Sequence, residues 1–270
     1  MKSTNTQERV LDLTTINPNV IRAEYAVRGA TAKRAAEIHE EIKKGTSKYP
    51  FNEVLFSNIG NPMKVGLEPV TFYRQVMSVV MNKSLLDSPS IPDGVKTRAK
   101  FYLNMIDGGI GAYSESNGFK FVRERVAKFI ENRDQTGAEV DPNNIWLSDG
   151  ASQAIALLFT TIIRDPNDGI MIPIPQYPLY SAQLAINGCK EIPYYLDETN
   201  AWQVDFQDLQ NSYEAACKKG IKTKAIVVIN PGNPTGQILR EDVIRKIIEF
   251  AVDNKLIILA DEVYQQNIYK

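Results

Sequence analysis

The chain has 270 residues, of which 43% are hydrophobic and 23% charged, and its formal net charge is −1. This composition is typical of a soluble globular protein with one large or two small domains. Because acidic and basic residues are interspersed, the charge pattern predicts neither a nucleic-acid partner nor an anionic membrane partner.

Membrane and targeting segments are not expected. The longest mostly apolar stretch, residues 154–163, is too short to span a bilayer. The N-terminus lacks the apolar core of a signal peptide, and the acids Glu8 and Asp12 argue against a transit peptide. We therefore expect a cytoplasmic protein, with a mitochondrial location less favoured.

Several common kinds of site are also excluded. Cys189 and Cys217, the only cysteines, have no C-x-x-C spacing and predict neither a disulfide nor a thiolate metal site. His39 is the only histidine, so neither a Ser-His-Asp triad nor a histidine metal site is expected. The residues 109–114 come near a dinucleotide fingerprint, but Ser114 replaces its third glycine and no apolar strand precedes it.

The first part of the chain, up to about residue 140, is predicted to be helical and polar. Apolar residues recur there with helical spacing, separated by charged ones. The predicted helices span residues 30–44, 71–81, 94–106 and 119–133, with a loop over residues 45–67.

From Asn144 onward, short apolar runs alternate with helical patterns. Strands are predicted at residues 145–147, 169–173, 191–196, 225–229 and 256–260, and helices at about 152–164, 179–187, 205–219 and 240–254. This alternation predicts an α/β fold whose sheet is mostly parallel, with helices on both faces.

Polar side chains follow two of the predicted strands. The motif N-P-G-N-P-T-G (residues 230–236) follows one strand, and D-E-V-Y (residues 261–264) follows the next. Ligands bind at the carboxyl ends of such strands. The amide of Asn233, the carboxylate of Asp261 and the phenol of Tyr264 suit a flat heteroaromatic ring with one basic nitrogen and one phenolic oxygen. Pyridoxal phosphate is such a ring.

Two further features complete this interpretation. Gly150 precedes a predicted helix that begins near Ala151 and Ser152, whose free amides and positive dipole end suit a phosphate. An ordinary serine or aspartate N-cap without a ligand is the alternative. Tyr177 lies between prolines after the next strand and suits stacking on a ring. A half-buried tyrosine with a solvated hydroxyl is its alternative.

Together the motifs at residues 230–236 and 261–264 resemble the fold-type I aminotransferases. The resemblance runs from about Asn17 to Lys270. Four other segments are similar to the alanine aminotransferase branch, at residues 25–29 (Y-A-V-R-G), 58–62 (N-I-G-N-P), 71–76 (T-F-Y-R-Q-V) and 112–118 (A-Y-S-E-S-N-G). Metal ligands are not part of the expected site.

The resemblance implies two parts and a set of cofactor contacts. Residues 1–110 would form a helical N-terminal segment that contributes to a small domain and to dimer contacts. Residues 111–270 would form part of the large domain that binds pyridoxal phosphate. The cofactor contacts carried over from the family are Ala151 and Ser152 on the phosphate, Tyr177 on the ring face, Asn233 and Tyr264 on the phenolic oxygen, and Asp261 on the ring nitrogen.

Further roles follow from the same resemblance. Asp261 and Tyr264 would act in catalysis, and the backbone at Gly60 would meet the substrate carboxylate. Tyr113 would reach the cofactor phosphate of a neighbouring subunit, which implies a homodimer. The implied reaction exchanges the amino group between L-alanine and 2-oxoglutarate, both small molecules, to give pyruvate and L-glutamate.

The Schiff-base lysine of the family is absent from this chain. In the family it follows the strand after the D-E-x-Y motif, in a context similar to Ser-x-Ser-Lys, and the chain ends at Lys270 before that point. We therefore expect this chain to be an N-terminal part, lacking the C-terminal part and inactive by itself. A glutamate:glyoxylate aminotransferase and a non-catalytic module that binds pyridoxal phosphate are the alternatives.

Overall fold

The computed structural model describes residues 11–269. Residues 1–10, where no targeting signal was expected, and Lys270 lie outside the described residues. By its contacts the chain divides into two compact units. One unit is Ile59–Asp149, and the other combines the segment that ends at Asn58 with the segment that resumes at Gly150. The boundary expected between residues 110 and 111 separates the N-terminal segment from the cofactor-binding part. It stays a prediction.

Helices dominate the described residues before Gly150. They are α1 (Pro18–Arg22), α2 (Ala30–Lys43), α3 (Thr71–Met81), α4 (Asp93–Met105) and α5 (Lys120–Asp134). Single 3-10 turns lie at Ala26–Arg28, Pro62–Val65, Lys83–Asp87 and Pro142–Asn144. The predicted helices are confirmed, with ends that agree to within one residue. In the unit Ile59–Asp149, α3 packs on α4 through the buried side chains of Val76, Val79, Val80, Val95 and Ala99.

Strands and helices alternate after Gly150. In order they are α6 (Ala151–Ile162), β1 (Asp168–Ile174), α7 (Leu179–Asn187), β2 (Lys190–Asp197), β3 (Gln203–Val204), α8 (Phe206–Lys218), β4 (Lys222–Ile229), α9 (Glu241–Asp253) and β5 (Ile257–Asp261). A 3-10 turn, Glu198–Asn200, precedes β3. The five strands form one sheet in the order β3-β2-β1-β4-β5. All pairs are parallel except β2 with β3, so the predicted parallel sheet is confirmed.

Both faces of this sheet are covered, because successive side chains of a strand point to opposite faces. Ile170 and Ile172 of β1 pack in a cluster with side chains of α6 and α7. Met171, which lies between them, packs instead in a cluster with side chains of α8 and α9. All three are fully buried, and burial of a side chain of this size contributes about 1.5–3 kcal/mol. The predicted arrangement with helices on both faces is therefore confirmed.

The predicted strand at residues 145–147 is wrong. Leu147 N donates a backbone hydrogen bond of 3.1 Å to Asn117 O, but no strand of the described residues pairs with this segment. Trp146 is 71% exposed. A strand needs a hydrogen-bonded neighbour, and an apolar run alone does not supply one.

The predicted strand at residues 256–260 forms one edge of the sheet as β5. Among the described residues β5 pairs with β4 alone, and Ile257 is half-exposed. The short antiparallel strand β3 was not predicted. Within residues 11–269, none of the helices combines the length and the hydropathy needed to cross a bilayer.

Candidate functional site

The two polar motifs begin side by side at the carboxyl edge of the sheet. Ile229, the last residue of β4, is the register partner of Asp261, the last residue of β5. Asn230 N then donates a hydrogen bond of 3.0 Å to Asp261 O. The parallel register therefore brings the segments after β4 and β5 to one place, as the sequence predicts.

The loop after β4 is closed by its own hydrogen bonds. Gly232 N donates to Gln237 O at 2.9 Å, and Gly236 N donates to Gly232 O at 3.0 Å. The Oδ1 atom of Asn230 accepts a hydrogen bond of 3.0 Å from Leu239 N. A Cβ on Gly232 would collide with the end of the Gln237 side chain, so a larger residue there would require that side chain to move. These contacts fix the short segment that carries Asn233.

Asn233 and Tyr264 meet, as predicted for two ligands of one oxygen. The Asn233 Nδ2 atom donates to the Tyr264 hydroxyl at 3.4 Å. Tyr264 lies in the turn after β5 and is 37% exposed, and Asn233 is half-buried. Both groups therefore face a position that a ligand can reach from solvent.

Asp261 is held by two donors. Its Oδ1 atom accepts a hydrogen bond of 3.1 Å from Val263 N, and its Oδ2 atom accepts one of 2.5 Å from the Tyr180 hydroxyl. Tyr180 is buried in α7, and this burial, with the bond to Asp261, raises the pKa of its phenol. The phenol therefore stays protonated and remains a donor to the carboxylate.

Sequence reasoning missed Tyr180. It stands three residues after Tyr177, a spacing that places both tyrosines near the start of α7. This spacing was the available signal, but the contact with Asp261 joins residues 81 positions apart. Only the packing of α7 on the sheet brings them together.

The first turn of α6 is the predicted position of the phosphate. Gly150, its N-cap, has φ 83° and ψ 170°, and no side chain caps the helix. The backbone bonds of this turn begin with Gln153 N donating to Gly150 O at 3.2 Å, so the amides of Ala151 and Ser152 precede them. Both residues are exposed. The N-cap residue is therefore Gly150, and binding of a phosphate at this turn stays a prediction.

Tyr177 is paired with a second tyrosine. Its hydroxyl lies 2.5 Å from the hydroxyl of Tyr25, and the two rings meet edge to face with centroids 6.0 Å apart. Burial, followed by the hydrogen bond to Tyr177, raises the pKa of Tyr25 to about 12. The Tyr177 hydroxyl therefore has a protein partner, and stacking of its ring on a cofactor stays a prediction.

Gly60 and Tyr113 belong to the unit Ile59–Asp149, which is described by itself. Gly60 lies in an exposed segment, and the Tyr113 side chain is fully exposed. Further along the same segment, the buried Arg123 donates to Gly118 O at 3.0 Å and to Glu115 Oε2 at 2.5 Å. Arg123 therefore organises the loop after Tyr113, and sequence reasoning missed it.

Metal ligands do not gather in residues 11–269, where no group of three or more His, Cys, Asp or Glu could hold an ion. What does gather at the edge is an amide, a phenol and a doubly hydrogen-bonded carboxylate. The fold and this edge define a ligand-binding protein of the open α/β class, with donors and acceptors for a flat ring.

Comparison with known proteins narrows the class. Residues 76–270 match the family described as aminotransferase class I and II, and the chain belongs to that family. It is 46% identical over 266 residues to glutamate–glyoxylate aminotransferase 1 of Arabidopsis thaliana, covering 97% of this chain and 53% of that one. It is also 46% identical over 265 residues to human alanine aminotransferase 1, again covering 97% and 53%.

Solved structures give the same fold. The chain superposes on an alanine aminotransferase from Pyrococcus furiosus with a TM-score of 0.66 at 24% identity. That alignment covers 92% of this chain and 52% of the other. The chain thus spans about half the length of the curated relatives it matches.

Proposed function

We propose that this chain forms the cofactor-binding part of an aminotransferase that exchanges the amino group between L-alanine and 2-oxoglutarate. The products are pyruvate and L-glutamate. The observation that carries the proposal is the meeting of Asn233, Tyr264 and Asp261 at one edge of the sheet. The relatives named alanine aminotransferase support the choice of substrates.

The residues at this edge fit pyridoxal phosphate. The amides of Ala151 and Ser152 would donate to its phosphate, since they precede the first hydrogen bond of α6. Tyr177 would stack on the ring. The Asn233 amide and the Tyr264 phenol would donate to the phenolic oxygen. When bound, the cofactor supplies an electron sink for negative charge at the substrate carbon next to the amino group.

The role of Asp261 follows from its hydrogen bonds. A carboxylate that accepts from Val263 N and from the Tyr180 phenol is held in one orientation at the end of β5. In that orientation it would hold a proton on the ring nitrogen, which maintains positive charge where the reaction requires it. Burial and the hydrogen bond to Asp261 raise the pKa of Tyr180. The phenol therefore stays protonated and does not take the place of Asp261 as the partner of the ring nitrogen.

Assembly is part of the proposal. Tyr113 is fully exposed, so its side chain is available to a neighbouring subunit. We assign it to the cofactor phosphate of that subunit in a homodimer, the commonest symmetric assembly. Gly60, exposed in the same unit, is assigned to the carboxylate of the amino acid or 2-oxo acid substrate.

A second candidate has its own support. A relative at 46% identity is a glutamate–glyoxylate aminotransferase, so glyoxylate is the competing amino acceptor. For residues 1–270 alone we propose cofactor binding without turnover. The only Ser-Lys pair, Ser47-Lys48, lies far upstream of the position at which the resemblance places the Schiff-base lysine.

A substrate panel on the full-length protein that carries this chain tests the proposal. Pyruvate formation from L-alanine and 2-oxoglutarate is measured beside glycine formation from L-glutamate and glyoxylate. We expect the first reaction to have the higher kcat/KM. A higher kcat/KM with glyoxylate would select the second candidate, and no amino transfer with any pair would overturn both.

A further inference from the structure

Tyr177 lies in a connection that has no regular structure of its own. It follows β1, which ends at Ile174, and precedes α7, which begins at Leu179. Its hydroxyl contact with Tyr25, 2.5 Å long, joins it to a segment 152 residues earlier in the chain. A ring held at its hydroxyl and packed edge-on has fewer orientations than one held by its backbone alone.

A second contact fixes the same N-terminal segment at the other end of α7. The Asn19 Nδ2 atom donates to Ile186 O at 3.1 Å. Gly188, just after α7, has φ +70°, and a Cβ there would lie 2.9 Å from Asn19 Nδ2. The segment from Asn19 to Tyr25 therefore contacts the connection just before α7 and the last turn of α7.

Further hydrogen bonds hold the chain on both sides of Tyr25. The Asn58 Nδ2 atom donates to Val27 O at 2.7 Å, two residues after Tyr25. Asn17 caps α1 by accepting a hydrogen bond of 3.0 Å from Asn19 N. The chain is therefore held by hydrogen bonds before and after Tyr25, so the Tyr25 side chain can hold another side chain in position.

We propose that Tyr25 is a positioning residue, whose phenol orients the Tyr177 ring against the face of the bound cofactor. The proposal rests on the proposed function, because it presumes that Tyr177 stacks on pyridoxal phosphate. Tyr25 itself acts through Tyr177. A tyrosine hydroxyl is protonated at neutral pH, and the raised pKa of Tyr25 extends this state to higher pH, so one hydroxyl of the pair can donate to the other.

A first experiment tests the pairing without the cofactor. The purified chain and its Tyr25→Phe variant are treated with tetranitromethane, and nitration of Tyr177 is followed by peptide mass spectrometry. We expect Tyr177 to be nitrated about 2- to 12-fold faster in the variant, the range for loss of one neutral hydrogen bond. Tyr195→Phe, which changes a half-exposed tyrosine of β2, is the matched control and should leave the rate unchanged.

A second experiment tests the effect on the cofactor. Equilibrium binding of pyridoxal phosphate is measured for the wild type, Tyr25→Phe, Tyr177→Phe and the double variant. Each single change keeps a ring and removes one hydroxyl, so each should weaken binding by about 2- to 12-fold. The double variant should be no weaker than the weaker single variant, because both changes remove the same hydrogen bond.

The outcomes separate the two proposals. Equal affinity of wild type and Tyr25→Phe, with normal wild-type binding, would overturn the positioning role and leave the proposed function intact. No saturable binding by the wild type would overturn the proposed function and the positioning role with it, while the nitration rates still decide the pairing. If Tyr25→Phe fails to fold by circular dichroism, Tyr177→Phe reports on the same hydrogen bond from the other side.

Discussion

Tyr180 and Asp261 join α7 to the edge strand β5 through a single hydrogen bond, in which the phenol donates to Oδ2 at 2.5 Å. Tyr180 is buried against Phe159 of α6, with ring centroids 6.4 Å apart, whereas Asp261 is half-buried at the carboxyl end of the sheet. The packed face of the sheet thereby sets the position of the carboxylate at its edge. Replacement of either Tyr180 or Asp261 should therefore affect the position of the other side chain.

We expect the two residues to be energetically coupled. In a cycle of Tyr180→Phe, Asp261→Ala and the double variant, the coupling in the free energy of unfolding should be about 1.5–3 kcal/mol, the range for a hydrogen bond to a charged group. Urea unfolding measures it. Tyr194→Phe is the control, since Tyr194 is equally buried but donates to Val227 O at 2.7 Å, and it should be additive with Asp261→Ala. A coupling under about 0.5 kcal/mol would contradict the prediction.

Asp168, a buried carboxylate at the start of β1, is expected to make a pH-dependent contribution to the free energy of unfolding. Its Oδ2 atom accepts hydrogen bonds from Arg164 N at 2.8 Å and Asp165 N at 3.2 Å, and Lys224 Nζ lies 3.5 Å from Oδ1. Burial alone would raise the pKa of this carboxyl, but the two amides and Lys224 together hold the pKa below its ordinary value.

Since the folded pKa lies below the unfolded value of about 3.9, Asp168 stabilises the fold above that pH. The contribution is lost as the pH falls through the folded pKa. Asp168→Asn should therefore cost about 1–3 kcal/mol at pH 7, and the difference from wild type should shrink below about pH 4. Urea unfolding across this range measures it, with Glu241→Gln, an exposed ion-pair partner of Arg245, as a control that changes little. A difference that stays constant with pH would exclude the charge as its cause.

Local patterns predicted most of the fold because they determine which residues form helices and strands. The helix Thr71–Met81 was predicted to the residue, since Val76, Val79 and Val80 lie on one face with the spacing of an amphipathic helix. The strand at residues 145–147 could not be judged from its apolar run, because a strand also needs a neighbour. The two-residue strand β3 is too short to leave a periodic pattern.

The site was predictable only in part, for a related reason. Asn233, Asp261 and Tyr264 stand directly after strands, so strand order alone brings them to one edge. Tyr25 and Tyr180 reach that edge through contacts across 152 and 81 residues, which depend on how helices and connections pack. No local pattern encodes such contacts.

The turn before α6 should depend on glycine. Gly150 has φ 83° and ψ 170°, a conformation that is almost restricted to glycine. Gly150→Ala should cost about 1–3 kcal/mol of stability and weaken binding of pyridoxal phosphate, since the turn presents the amides of Ala151 and Ser152. Thermal unfolding and equilibrium binding measure the two effects. Gly29→Ala is the control, because Gly29 is the N-cap of α2 but has φ −73°, which alanine adopts readily. Equal losses of stability and of cofactor binding in both variants would show that the turn at Gly150 does not depend on glycine more than the turn at Gly29 does.

Asp261→Asn in the full-length protein should depress turnover about 100-fold or more, because the ring nitrogen loses its counter-charge. Cofactor binding should persist, since Ala151 and Ser152 are unchanged. Steady-state kinetics and cofactor content of the purified variant measure the two quantities. Near-normal turnover would show that Asp261 is not the partner of the ring nitrogen.

Assembly gives the last prediction. If Tyr113 reaches the cofactor phosphate of a neighbouring subunit, each active site draws residues from two chains of a dimer. Two full-length variants of low activity, Tyr113→Ala and Asp261→Asn, should then complement each other in mixed dimers. One of the two sites in such a dimer combines the intact Tyr113 of one chain with the intact Asp261 of the other, whereas the second site carries both changes.

Loss of Tyr113 alone is expected to weaken a site only in part, because one hydrogen bond to a charged phosphate contributes about 1.5–3 kcal/mol. The assay therefore compares the activity of mixed dimers, confirmed by native mass spectrometry, with the average of the two parents. We expect a clear excess over that average, because the restored site has both groups. Mixed dimers of Tyr113→Phe with wild type, which keep a ring at this position, control for exchange of subunits. If the Tyr113→Ala and Asp261→Asn mixtures form but are no more active than the parental average, both residues act in the same site of one chain and the shared site is wrong.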